Sequence, residues 1–214
     1  MTAAAVISEV GLVPEAIDSA ISDCIDRLGN DFLQCPNRIL TEDDMRIHLG
    51  SLLLGHFGAC QRTEDGDESI ALHSEVRWYG NGRLKYRSDL VVIAVRTLRV
   101  LNAGVLSLPS KGYAFNVPDG IIELKLRRPN GVGDSAFVNS IEADLLRLER
   151  IRAELSDVAP RLACWVVAFD KKGDIGGRVP ARDGETVVYR SSHSTSPQNG
   201  RPDMAAGREP RLSR

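Results

Sequence analysis

Apolar residues recur along this chain with two different periods, and the switch between them marks out its elements. From Pro14 to Leu28 the positions Ile17, Ala20, Ile21, Cys24, Ile25 and Leu28 fall on one helical stripe, which Gly29 and Asn30 are expected to end. A short lead-in, Asn37 to Leu40, precedes a second helix from Thr41 to about Gly58. Thr41 is placed as its N-cap, with Asp44 where the acid of a capping box belongs. Arg62 to Ser69 reads as a charged loop. The period then shortens to that of a strand. Leu72 to Tyr79 and Leu84 to Val95 form the arms of a hairpin about Gly80-Asn81-Gly82. Arg96 to Asp119 fits either a strand extension with a loop or a further hairpin around Leu101 to Gly104. Gly120 to Arg128 is the next strand, and Pro129 to Asn139 a loop with Pro129, Gly131 and Gly133. Ser140 caps a helix to about Leu155, with Ile141, Leu145, Leu148 and Ile151 as its stripe. Leu162 to Phe169 is an apolar run suited to the interior of a sheet, and Thr186 to Arg190 a last short strand.

After the first helix the order is α-β-β-β-α-β. That order implies an α/β fold, a central mixed β-sheet flanked by helices. Residues 1–190 are expected to form a single domain with an N-terminal helix. Residues 191–214 are polar, basic and poor in large apolar side chains, and read as a disordered tail.

Composition narrows the function classes. The chain has 214 residues, 43% of them hydrophobic, enough for one core. Aromatic residues make up 5%, which speaks against a surface built on base stacking. No apolar run is long enough to span a membrane, and the start, MTAAAVISEVGLVPEA, has no basic segment before its apolar part, so no signal peptide is expected. Cys24, Cys35, Cys60 and Cys164 are scattered without a C-x-x-C pair, which points to reduced thiols in a cytoplasmic protein. Net charge is −2, but its distribution is uneven. Arg27 is the one base among the charges from Glu9 to Asp31, whereas Arg77, Arg83, Lys85, Arg87, Arg96 and Arg99 face Asp89 alone. A phosphate-binding face and a solvated basic sheet edge both account for this asymmetry.

The strand Gly120 to Leu126 carries the candidate chemistry. Ile122, Leu124 and Leu126 point one way, and Ile121, Glu123 and Lys125 the other. A carboxylate and an ammonium on one face of a buried-looking strand need a partner or a ligand. The preceding strand has its own misplaced acid, Asp89, opening the apolar run Leu90 to Ala94. If these strands pair, two carboxylates converge and leave most of a magnesium shell to water and phosphate. Asp119 is the competing second acid, but four residues of strand span roughly 13 Å, and the turn Pro118-Asp119-Gly120 accounts for it. Glu42 lies on the inward face of the second helix with Met45, Leu49, Leu52, Leu53 and His56; a first-turn acid complementing the helix dipole is the plainer reading. Glu75 reads as a solvent-facing acid. Lys125 is either half of an ion pair or a group that orients a metal-bound water. The histidines show no ligand spacing.

Glu42 in TEDDMRIHL, Asp89 in YRSDLVV and Glu123-Leu124-Lys125 in IIELKL, followed by SIEADLLRLERI and ACWVVAFD, resemble the PD-(D/E)xK nuclease superfamily. Its fold is the restriction-endonuclease-like core. The likeness runs from about Ile39 to Asp170; Ser88 stands where the family's proline would be, and an insertion at Arg96 to Val117 is required. The resemblance implies a Mg²⁺-dependent nuclease, with Mn²⁺ as substitute, acting on DNA in restriction, phage defence, repair or a mobile element. RNA stays open as a substrate. Asp89, Glu123 and the Leu124 carbonyl would hold the metal, Glu42 would assist directly or through water, and Lys125 would position the attacking water. Hydrolysis would leave a 5′-phosphate and a 3′-hydroxyl. In this family the helix after E-x-K often lends a polar residue, here Asp144 or Arg147. Arg77, Arg87, Arg127 and Arg128 would contact phosphates. The rival is a non-catalytic nucleic-acid-binding or assembly module on the same fold. The size also admits a homodimer with the outer face of an amphipathic helix as its contact.

Overall fold

The computed structural model describes residues 14–80, 83–99 and 117–193. Three helices flank a five-stranded mixed sheet. The helices are α1 (Pro14–Gln34), α2 (Glu42–Phe57) and α3 (Asp134–Glu154). A two-stranded ribbon, β1 (Gln61–Arg62) with β2 (Glu68–Ser69), occupies part of the expected charged loop. The main sheet is β3 (Leu72–Gly80), β4 (Arg83–Ile93), β5 (Pro118–Arg127), β6 (Ala163–Asp170) and β7 (Thr186–Ser191), side by side in that order. β3, β4 and β5 run antiparallel to their neighbours, and β5, β6 and β7 run parallel. The parallel step from β5 to β6 is made through α3, the crossover such a pair needs.

The two faces of β5 separate as the alternation predicts. A Cβ on Gly120 would lie 2.8 Å from Ile21 Cδ1, so the side shared by Gly120, Ile122 and Leu124 turns toward α1. On that side Phe32 of α1 stacks on Phe169 of β6 with ring centroids 4.5 Å apart. The opposite side, with Ile121, Glu123, Lys125 and Arg127, turns toward α3, whose Phe137, Ile141, Leu145, Leu148 and Ile151 are buried. α2 packs along β3, β4 and β5 and against α1. It begins as expected: Thr41 Oγ1 accepts the Asp44 N–H, and the Asp44 carboxylate accepts the Thr41 N–H.

Several boundaries differ, each because a distant contact overrides a local signal. α1 continues through Gly29 and Asn30 to Gln34. Its buried face goes on to Phe32, and the missing side chain at Gly29 leaves room for Arg190, whose Nε would lie 3.3 Å from a Cβ there. α3 starts at Asp134 after the N-cap Gly133, ahead of Ser140. Asp134 accepts from both Arg127 and Arg178, and Phe137 is buried, so the first turns are held from outside the helix. β5 starts at Pro118, so Asp119 belongs to a strand rather than a turn. It sits where the β4–β5 register shifts. The central Asn81-Gly82 of the hairpin turn, the stretch 100–116 with its second hairpin or insertion, and residues 194–214 of the expected tail lie outside the described residues. The first residue of that expected tail, Ser191, is instead buried at the end of β7, where its hydroxyl donates to the Gly173 carbonyl. Among the described residues no helix is long and apolar enough to cross a membrane. All four cysteines are free.

Candidate active site

The β4–β5 ladder ends on one side at Leu90 opposite Ile122. Alternation puts Asp89 on the side of Val91, whose partner Ile121 shares a face with Glu123, and the Asp89 charge acts on Glu123. Here β4 parts from β5, and β5 backbone groups that β4 would have paired need other partners. Carboxylates supply them. Asp89 Oδ2 accepts the Leu124 N–H at 2.8 Å, and Glu42 Oε1, from the first turn of α2, accepts the Leu126 N–H at 3.2 Å. The strand acids are therefore out of place by propensity but suited to a split in the sheet.

Helix α3 completes the group. Arg147 reaches Glu123 Oε2 at 2.8 Å and Asp144 Oδ1 at 2.5 Å. The Lys125 ammonium lies 2.7 Å from Asp144 Oδ2 and donates to the Leu124 carbonyl at 3.3 Å. From α2, Arg46 lies 2.8 Å from Asp89 Oδ1 and 2.8 Å from Glu75 Oε1, and it also pairs with Asp43. Three acids, Asp89, Glu123 and Asp144, thus meet three bases, Arg46, Lys125 and Arg147.

Glu123 is the residue under most electrostatic tension. It is 1% exposed, and its Oε1 has no hydrogen-bond partner. Burial pushes its carboxyl up to about 8, pulled back by Arg147 and Lys125 and pushed further by Asp89 and Asp144. For Lys125, burial favours losing the proton, but Asp144, with Glu42 and Asp89 behind it, outweighs burial and holds the ammonium above the usual lysine range. Arg147 is held up in the same way by Glu123 and Asp144 against its own desolvation.

Glu42, Asp89, Glu123 and Lys125 are therefore brought together, with the Leu124 carbonyl beside them. Asp119 is not among them: burial raises its carboxyl, and the base it senses is Arg96. Arg127 requires a correction. It is 1% exposed. Its guanidinium is taken up by Asp170, at 2.8 Å from Nε, and by Asp134 at 2.5 Å, and it lies over the Phe137 ring. With its side chain fully buried, the guanidinium cannot reach a phosphate. Arg77, Arg87 and Arg128 are exposed, although Arg87 is tied to Glu75 at 3.0 Å. His56, expected on the inward face of α2, is exposed, and Phe57 is the buried residue.

Three participants carry little signal in the sequence. Asp144 and Arg147 lie at the edge of the α3 stripe, where a surface position is equally plausible. The one signal of Arg46 is that it stands four residues after Glu42, on the same side of the helix. Glu75, expected to face solvent, shares Arg46 with Asp89. It has φ 56°, the single positive value outside glycine among the described residues. Ser88, in place of the family's proline, is buried and accepts the Trp78 indole N–H at 3.0 Å.

Among the described residues no three His, Cys, Asp or Glu side chains gather as a ready metal site. A cavity of about 470 Å³ lined by Glu149, Ala181, Arg182, Asp183 and Glu185 shares no residue with the charged cluster. No protein-family model, curated protein or solved structure matches this chain.

Proposed function

We propose that this protein is a divalent-cation-dependent nuclease that hydrolyses phosphodiester bonds of DNA on a restriction-endonuclease-like core formed by α2, β3, β4, β5, α3 and β6. The observation that carries the reading is the convergence of Asp89 and Glu123 beside Lys125 where β4 parts from β5. Oxygen donors of this kind suit a hard cation. Asp89, Glu123 and the Leu124 carbonyl would hold Mg²⁺, or Mn²⁺ in its place, with Glu42 assisting from the helix end. The buried Glu123 Oε1, lacking any hydrogen-bond partner, is the atom such an ion would satisfy. A bound divalent ion acidifies water and offsets charge on the phosphate. Lys125 orients the attacking water and stabilises charge on the phosphoryl oxygens. Asp144, 2.7 Å from the ammonium, keeps it protonated and aimed. The exposed Arg77, Arg87 and Arg128 supply backbone contacts to DNA.

The test is incubation of linear and circular DNA with Mg²⁺ or Mn²⁺. Asp89→Ala and Lys125→Ala are each expected to lose about 100-fold or more of the wild-type rate. If folded wild type and both variants leave the same intact substrate with either ion, the nuclease reading is wrong.

One observation favours a second reading, a non-catalytic nucleic-acid-binding or assembly module. Arg46 and Arg147 already neutralise the two carboxylates a metal needs. On that reading DNA is bound but not cut, and Lys125→Ala leaves binding unchanged.

A further inference from the structure

Arg46 is bound to more acid than a static ion pair requires. Its guanidinium lies 2.8 Å from Asp89 Oδ1 and 2.8 Å from Glu75 Oε1 and also pairs with Asp43, so three carboxylates share one cation. Two of them, Glu75 and Asp43, lie outside the proposed metal-binding set. Glu75 reaches Arg46 from a backbone conformation that side-chain-bearing residues rarely adopt, φ 56°, between the paired residues Ser74 and Val76. Its carboxylate is also held by Arg87 at 3.0 Å, so it is anchored whether or not Arg46 sits on Asp89.

We propose that Arg46 is a movable counter-ion of the site, resting on Asp89 in the metal-free protein and withdrawing onto Glu75 and Asp43 when a divalent cation takes Asp89. This rests on the nuclease reading above and adds to it a way of keeping the site charge-balanced before the ion arrives. A carboxylate half-buried beside Glu123 and Asp144 is unfavourable without a positive neighbour. Arg46 provides that neighbour without filling the orphaned Glu123 Oε1, which leaves the exchange a starting point. The second berth lowers the barrier to exchange, because the guanidinium gives up one of three partners rather than its only one.

The test is calorimetric titration of the metal-free protein with Mn²⁺, without DNA, for wild type, Arg46→Gln, Lys85→Gln, Glu75→Gln and Asp89→Asn. Removing the competitor should tighten Mn²⁺ binding about tenfold in Arg46→Gln, within the usual range of coupling between sites. Lys85→Gln removes a surface cation whose partner is Glu154 and should leave the affinity unchanged. Glu75→Gln should weaken binding several-fold, because Arg46 then has less to withdraw to. If Arg46→Gln binds no more tightly than wild type, or Lys85→Gln gains as much, the counter-ion role is overturned. A loss of binding in Asp89→Asn would still uphold the metal site in that case. If wild type and Asp89→Asn bind Mn²⁺ alike, the site reading falls and this proposal with it. Should circular dichroism show Arg46→Gln unfolded, Glu75→Gln decides the matter: weaker binding supports the exchange, and equal or tighter binding refutes it.

Discussion

Lys125 and Arg127 stand two residues apart on one face of β5, and their neighbours give them opposite roles. Lys125 keeps its head beside Asp144 in the charged cluster, whereas Arg127 is sealed between Asp170, Asp134 and Phe137. The Asp170 pair should govern stability in acid. Burial alone would raise the Asp170 carboxyl, but Arg127, the Lys172 and Gly173 N–H groups and the Tyr189 hydroxyl outweigh it and hold it below the usual range. A depressed carboxyl contributes stability that is full above its unfolded pKa, about 3.9, and is lost as pH falls through the folded value. Asp170→Asn should therefore lose about 3 kcal/mol near neutrality, the lower end for breaking a buried pair. The deficit should shrink as wild type is titrated below about pH 4, which urea unfolding at several pH values would measure. None of this was legible in the sequence. Arg127 and Lys125 look alike there, and what separates them is the parallel register that sets Arg127 against Asp170.

Elements were legible where their ends are written in local chemistry. α2 starts where Thr41 and Asp44 say it should, because a capping box satisfies its N–H groups from within four residues. Thr41→Ala should cost about 1 kcal/mol of stability in thermal or chemical unfolding. It should also loosen Glu42, the next residue, from the Leu126 N–H. The end of α1 and the start of α3 depart from the local signals because they are set at long range, by Arg190 packed at Gly29 and by Arg127 and Arg178 on Asp134. Close packing of α1 on β5 gives a second expectation. A methyl on Gly120 would meet Ile21 Cδ1 at 2.8 Å, with its other neighbours, Val92 and Ala163, at ordinary contact distance. Gly120→Ala should lose about 1 to 3 kcal/mol through overpacking. Ile21→Val removes the offending methyl, so the double variant should be more stable than the two single losses predict, a coupling read from a double-mutant cycle.

At the scale of the whole molecule, hydrophobic periodicity with turn and cap signals yields the order of the main helices and strands, and the apolar run Leu162 to Phe169 lies inside the sheet as β6, between β5 and β7. Asp89, Glu123 and Lys125 lie within electrostatic reach of one another, since period-two alternation on β4 and β5 fixes which side each faces, and Glu42 approaches Leu126 from the first turn of α2. Their shielding was not legible, because Arg46 and Arg147 come from helices whose rotation about their axes is set only by packing. The exposed basic residues should act additively and without sequence preference. Arg77→Ala and Arg128→Ala are each expected to lower the salt dependence of DNA binding by about one unit of slope, measured by fluorescence anisotropy across salt concentrations. The most direct measurement is the fate of end-labelled DNA given folded wild-type protein, with Mg²⁺ and with the ion chelated. Cleavage to 5′-phosphate and 3′-hydroxyl ends should require the cation and fall about 100-fold or more in Lys125→Ala. Substrate equally intact with and without Mg²⁺ and Mn²⁺, or cleavage indifferent to Lys125, would rule out the proposed site.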